Sequence, residues 1–343
     1  MLELILLGEI KKNMQVPTAS LDLLRRFSPT PLGANLWIMG RTIRIETNSS
    51  KVLEQTCQAL QAYGALQARQ PEFLWRIVCE SDSGADLSWP EMTAFSKEGL
   101  SFVNIGQLGF LAVDLNAREA VGFLTESLVA DELGFVRPFL AMLFSMSARG
   151  LRLMPLSAAC VGCNGKGLII LGPPESGKTA SSYFAGKLGL EFHADQVVFL
   201  DAEGKALRAW GEFWPAVFHP EAQQYLSDIA RPFHYQGRKL LYLEKPRHSC
   251  ALQSTIPAGC VFLERHGKRG VRLSSLDRAE FRTRFKESLL FQDGEVLQPE
   301  AAAIWRGFES LPAYHLSYGS DPRVAAILLC DLLNGHRLVK VNP

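Results

Sequence analysis

Apolar and polar positions follow two different rhythms along the first third of the chain. Between Leu36 and Leu115 the period is mostly two, which sends successive side chains to opposite faces of a strand. "LWIMG" and "TIRIET" flank a turn at Gly40-Arg41. "FLWRIVCE" and "LSFVNIGQLGFLAVDL" read as further strands, with Gly106 and Gly109 as turn or bulge positions. Two stretches carry helical spacing instead. In "SSKVLEQTCQALQAYG", Val52, Leu53, Cys57, Leu60 and Tyr63 share one face, Ser49 or Ser50 caps the start, and Gly64 ends it. "AREAVGFLTESLVADELG" reads as the second helix. "FVRPFLAMLFSMSARG" then reads as a buried helix stopped at Gly150.

Beyond Gly150 the rhythm changes again. "SAACVGCNGKGLIIL" reads as two strands joined by a turn at Gly162-Cys163-Asn164-Gly165. A helix-compatible run follows, and then a strand from Glu191 to Leu200. "KLLYLEK", "GCVFLER" and "GVRLSSL" are short apolar runs, while "RAEFRTRFKESLL" and "PRVAAILLCDLL" have helical spacing. Strands mixed with helices predict an α/β fold, with α+β as the alternative. The pattern divides at Gly150. Residues 1–150 form a mixed α/β module of unknown role, whose aromatics Trp37, Phe73, Trp75 and Phe102 belong in a core. Residues 151–343 form a second domain.

Composition narrows the function classes. The chain has 343 residues, 47% hydrophobic and 21% charged, with a formal net charge of +1. Such a balance supports a sizeable core and leaves no broad basic footprint for nucleic acid. No stretch reaches membrane-spanning length, so no membrane insertion is expected. The opening "MLELILLGEIKKN" lacks a basic region and a cleavage site and reads as a first strand; Met14 is a second candidate start. The seven cysteines are an odd, scattered set, which argues against a disulfide framework and for the cytoplasm. Cys160-Val-Gly-Cys163 has redox or metal spacing, but it falls in a predicted hairpin with no second pair nearby.

The chemistry concentrates after the second of those strands. Gly172-Pro173-Pro174-Glu175-Ser176-Gly177-Lys178-Thr179 fits G-x-x-x-x-G-K-[ST] in full. Gly172 and Gly177 permit turns and close approach that a Cβ would block. Loop N–H groups can then gather phosphate oxygens at the positive end of the following helix. Lys178 supplies a cation for the β- and γ-phosphates, and the Thr179 hydroxyl can ligate Mg²⁺. The setting of strand, loop and helix is the one this motif requires. A nucleotide or another polyphosphate, with Mg²⁺, is therefore the expected ligand, and ATP is the first to test.

In "LGLEFHADQVVFLD", Gly189 can close the helix and Asp195 interrupts an apolar strand. A carboxylate there is costly unless it is paired or used. His193 should share its face and could sense phosphate or transfer a proton, although hydrogen bonding is the simpler role for it. Asp201, at the strand's end, reads as a turn aspartate.

From Leu156 to Asp201 the chain resembles the HPr kinase/phosphorylase family and its HPr-kinase-related members, whose P-loop core resembles that of phosphoenolpyruvate carboxykinase. The likeness continues weakly through "GEFWPAVFHPEAQQ", "GRKLLYLEKP", "PAGCVFLERH" and "HLSYGSDPRVAAILLCDLL". It implies an ATP- and Mg²⁺-dependent kinase acting on a serine-like hydroxyl of a protein, peptide or small molecule. In that reading Asp195 takes the hydroxyl proton, Lys178 steadies the phosphates, and Thr179, Gln196 and Glu221 form the metal set. Arg238 and Lys239 could neutralise the transferred phosphate. The resemblance also implies a homo-oligomer. Two departures stand out: Gln196 replaces the second aspartate of a pair, and Ser157 stands where the family often has histidine. The rivals are a catalytically degenerate nucleotide-binding regulatory or scaffold protein, and an ATPase coupled to conformational change.

Overall fold

Met39 and Gly40 both take left-handed backbone, at φ 50° and 79°, and turn the first strand directly into the second. The turn lies one residue earlier than Gly40-Arg41, because Ile38 and Arg41 close the hairpin as register partners. The computed structural model describes residues 28–60, 70–82, 90–202, 207–214, 216–218, 220–225, 231–235, 238–243, 254–266, 270–289 and 299–335. The first strand expected at the very start, and the helix end at Tyr63 and Gly64, lie outside the described residues.

The chain is mixed α/β and divides into two compact units between Leu151 and Arg152. The first holds β1 (Leu32–Ile38), β2 (Arg41–Thr47), α1 (Ser50–Leu60), β3 (Phe73–Glu80), β4 (Thr93–Lys97), β5 (Leu100–Asn104), β6 (Gly109–Asp114) and β7 (Glu119–Thr125). Its helices continue with α2 (Glu126–Ala130), α3 (Glu132–Gly134) and α4 (Ala141–Ser147). The strands form one sheet in the order β1-β2-β3-β7-β6-β5-β4. The Ser49 hydroxyl accepts from the Val52 N–H at the start of α1, the cap that the sequence offers.

Four further readings of this unit need correction. Glu119–Thr125 is a strand, not the start of a helix; it lies between β3 and β6. Its apolar Ala120, Val121, Phe123 and Leu124 do not alternate with polar residues, and such a run also fits a helical template. Phe135–Leu140, ahead of α4, is a π-helical turn around Pro138, whose ring has no N–H to give the regular ladder. Gly150 does not stop a helix by left-handed geometry. It makes room for a ring, since a Cβ there would come within 2.6 Å of Phe73. Phe73 and Trp75 are core residues, as expected, but Phe102 is exposed and pairs across the strands with exposed Phe95.

The second unit runs β8 (Met154–Ser157), β9 (Ala159–Cys163), β10 (Lys166–Leu171), α5 (Lys178–Lys187), β11 (Glu191–Ala194), β12 (Val197–Asp201) and β13 (Arg208–Trp210). Then come β14 (Ala216–Phe218), β15 (Arg231–Tyr235), β16 (Arg238–Leu243), β17 (Ser254–Arg265), β18 (Val271–Ser275), α6 (Arg278–Glu287), α7 (Pro299–Glu309), β19 (Ala313–Tyr318) and α8 (Pro322–Leu333). The long β17 runs parallel to β10 on one side and to β19 on the other. β14, β16 and β15 make a small separate sheet.

Alternation along β10 and β17 explains the layers. Ile169, Leu171, Cys260 and Phe262 face a core shared with Phe281 and Phe285 of α6 and Ile304 and Phe308 of α7. Leu168, Ile170, Val261 and Leu263 face the other way, onto Ala185 of α5 and Ala325, Ala326 and Leu329 of α8. With helices on both faces, Leu168–Leu171 is apolar without a break. Truncating a fully buried member such as Phe308 to alanine costs ~3–5 kcal/mol.

Candidate functional site

The parallel strands deliver Leu171 to the loop from Gly172 to Gly177, and α5 begins at Lys178. Three loop residues take left-handed backbone: Gly172 at φ 150°, Glu175 at 64° and Gly177 at 90°. Glycine is required at two of them for space as well as for φ. A Cβ on Gly172 would lie 2.5 Å from the Leu263 carbonyl oxygen, and one on Gly177 would run into the Tyr318 hydroxyl. Tyr318 donates to the Ser176 carbonyl at 3.0 Å, so the floor of the loop is tied to the end of β19. Burial pushes the Tyr318 phenol up from its ordinary value. Nothing in its own segment singles out Tyr318, because the contact depends on β19 lying beside β17.

Pro173, Pro174 and Glu175 are exposed, Ser176 is buried, and Gly177 enters α5 without a side-chain cap. An uncapped helix start beneath a glycine-framed loop suits an anion, whose oxygens can take the first-turn amides. Lys178 Nζ donates to the carbonyls of Gly172 at 2.7 Å and Pro173 at 3.0 Å. Burial pulls its ammonium down from 10.5 to about 8. The far end of α5 closes on Gly189 at φ 105°. There Leu190 N–H reaches Ala185 O and Gly189 N–H reaches Gly186 O, the left-handed ending expected of that glycine.

The strand expected from Glu191 to Leu200 is two strands. β11 pairs with β9 as far as Ala194, and β12 pairs with β8 from Val197. Asp195 and Gln196 form the break between them. Ala158, at the matching break between β8 and β9, donates to the Gln196 carbonyl at 3.0 Å. The break turns the Asp195 carbonyl toward α5, where the Thr179 hydroxyl lies 3.5 Å away. Asp195 is fully buried and Gln196 half-buried. Thr179 of the motif is thus brought against the Asp195 backbone, while Lys178 lies on the loop carbonyls of Gly172 and Pro173.

Glu212 is the residue that sequence reasoning missed. It is fully buried, and its two carboxylate oxygens accept from the Asp195 N–H at 3.1 Å and the Val197 N–H at 2.8 Å. A signal was present: a lone carboxylate among Trp210, Phe213 and Trp214 is as costly as Asp195 in its own strand.

The remaining candidates are more scattered. The His193 ring is buried against Gly162, with Nε2 3.5 Å from a Glu191 carboxylate oxygen. A register shift between Phe192 and Ala194 breaks the period of two, so His193 does not simply share the Asp195 face. Gly162 is the partner of Gly167, near the start of β10 and at the other end from the loop. Asp201 is no turn residue; it ends β12, buried, opposite Arg208. Ser157 ends β8 opposite Val197, and its N–H reaches the Ser288 carbonyl at 2.8 Å. Glu221 lies in a 3₁₀ turn (Pro220–Tyr225), and Arg238 and Lys239 open β16; the side chains of all three lie outside the described residues. Cys160 and Cys163 are free thiols of the β9–β10 hairpin, whose turn is Asn164-Gly165. Among the described residues no group of three or more His, Cys, Asp or Glu side chains could hold a metal ion. Nor is any described helix long and apolar enough to cross a membrane.

No family model matches the chain, and no curated protein does. Among solved structures, the chain is similar to the Hpr(Ser) kinase/phosphatase from Coxiella burnetii, at 11% identity. The match covers 53% of this chain and 95% of that one, with a TM-score of 0.27. A likeness so remote says nothing of this chain's chemistry.

Proposed function

We propose that this protein is an ATP- and Mg²⁺-dependent kinase that transfers the γ-phosphoryl group to a serine-like hydroxyl of a protein, peptide or small molecule. The nucleotide core lies in residues 151–343, with residues 1–150 as a separate module. One observation carries the reading: the break in the strand brings the Asp195 backbone within 3.5 Å of the Thr179 hydroxyl. That contact sets the Asp195 backbone beside the start of α5, and we assign its buried carboxylate to the same site.

The residues fit a nucleotide. A Cβ would fill the glycine spaces, the α5 start has no side-chain cap, and the Lys178 ammonium lies over the loop on two carbonyls. Exchanging those neutral acceptors for phosphate oxygens would give Lys178 stronger, charge-assisted bonds. Thr179 and Gln196 would hold Mg²⁺, whose chemistry is to neutralise the charge of the phosphate chain. Asp195 would accept the proton of the acceptor hydroxyl. Catalysis would rest on positioning and charge stabilisation, with no covalent enzyme intermediate.

The second reading is a degenerate nucleotide-binding regulatory or scaffold protein. It is favoured by Gln196, a neutral amide at the position where a second carboxylate would hold the metal more tightly. Transfer of label from γ-labelled ATP to serine-bearing acceptors, measured against release of free phosphate, separates the two.

A further inference from the structure

We infer that Glu212 is the positioning residue of this site: its carboxylate holds the strand break in the shape that presents Asp195 and Gln196 to the phosphate loop. The inference rests on the kinase reading for its catalytic consequence, but not for its structural one.

The chain run from Glu191 to Asp201 changes partners at Asp195-Gln196. The ladder to β9 ends at Ala194–Cys160, and the ladder to β8 begins at Val197–Ser157. A ladder change leaves backbone groups to be satisfied by other means, and buried N–H groups are seldom left without a partner. Glu212 meets this demand. Its Oε1 accepts from Asp195 N–H at 3.1 Å and its Oε2 from Val197 N–H at 2.8 Å, so one rigid carboxylate spans Gln196. Each bond is charge-assisted and lies in a water-poor setting, where it is stronger than its neutral counterpart.

The position of Glu212 is itself fixed. β13 pairs with β12 through Phe199–Trp210 and Leu200–Ala209, so the chain leaving Trp210 lies alongside β12. Trp214 packs edge-on against Phe199, with ring centroids 6.1 Å apart, which anchors the far side of the segment. Glu212 lies between these two anchors. Facing one backbone N–H with each oxygen, it acts through Asp195 and is not placed here among the reacting groups.

Glu212→Gln separates this role from simple packing, because it keeps the volume. Each carboxylate oxygen faces one N–H, so the glutamine oxygen can replace only one of the two acceptors in place and its NH₂ opposes the other N–H. Amide hydrogen exchange on the whole protein reads the structural arm. In the variant, the Asp195 and Val197 amides should exchange at least about tenfold faster, while α5 amides keep their wild-type rates. Label transfer from ATP reads the catalytic arm: kcat should fall about 100-fold, with ATP affinity within about threefold of wild type. Unchanged exchange at Asp195 and Val197 in folded Glu212→Gln would overturn the inference. If that variant fails to fold, the wild-type protein decides, since free-peptide exchange rates at these two amides would equally overturn it. If wild type transfers no label but the exchange arm behaves as stated, the kinase reading fails and the clamp stands.

Discussion

The phenol of Tyr318 donates a 3.0 Å hydrogen bond to the carbonyl of Ser176, across the sheet from one end of the second unit's sequence to the other. It fixes the floor of the phosphate loop to β19. The same hydroxyl occupies the space that a Gly177 side chain would need.

Two linked outcomes are expected from that contact. Tyr318→Phe should cost ~1 kcal/mol of stability, the usual worth of such a bond. Gly177→Ala should cost more than ~1 kcal/mol, because it adds a collision to the strain of φ 90°. Denaturant unfolding of both single variants and the double variant checks the coupling. The double variant should be more stable than the sum of the single effects predicts, because Tyr318→Phe removes the oxygen that the new methyl meets.

Lys178 carries a pH prediction whose sign can be worked out. Burial lowers its ammonium to about 8, so above that pH the folded protein holds a neutral amine while the unfolded chain stays charged up to about 10.5. The unfolded state then binds more protons, and this group's contribution to stability rises with pH across that window. Nucleotide binding should move the opposite way. A neutral amine cannot pair with phosphate, so ATP affinity should weaken above about pH 8, by at most tenfold per unit. Calorimetric titration from pH 7 to 9 reads this, with Lys178→Arg giving a flatter profile. Lys178→Ala should lose ~10–100-fold in affinity at neutral pH, the worth of hydrogen bonds to a charged group.

The Cys160-Val-Gly-Cys163 spacing should show no redox chemistry. Cys160 is fully buried and burial pushes its thiol well up, whereas Cys163 is half-buried at the hairpin end. Thiol labelling of the native protein should modify Cys163 and spare Cys160. Mild oxidation should leave both as free thiols. Rapid, reversible loss of the pair would contradict this.

Several of these features were legible in the sequence, and for stated reasons. The β9–β10 hairpin, the loop and α5 follow from local rules, since Asn164-Gly165, Gly172, Gly177 and Gly189 each meet a backbone need that few other residues meet. The long-range partners were not legible. Tyr318 and Glu212 look ordinary in their own segments and gain meaning only from the pairing of β19 with β17 and of β13 with β12. Glu119–Thr125 was misread because Ala120, Val121, Phe123 and Leu124 do not alternate with polar residues and fit a helical template as well. The break at Asp195-Gln196 was missed because both halves are strand-like, and only the change of partner from β9 to β8 divides them.

The central claim is that Asp195, beside Thr179, activates an acceptor hydroxyl for transfer from bound ATP. Its most direct test pairs γ-labelled ATP and Mg²⁺ with serine-bearing acceptors, including free serine, for wild type and Asp195→Asn. Wild type should move label to an acceptor faster than it releases phosphate. Asp195→Asn should lose at least ~100-fold of that transfer, with ATP affinity within a few-fold of wild type. Undiminished transfer by Asp195→Asn would contradict the claim, as would a wild type that binds ATP but labels no acceptor.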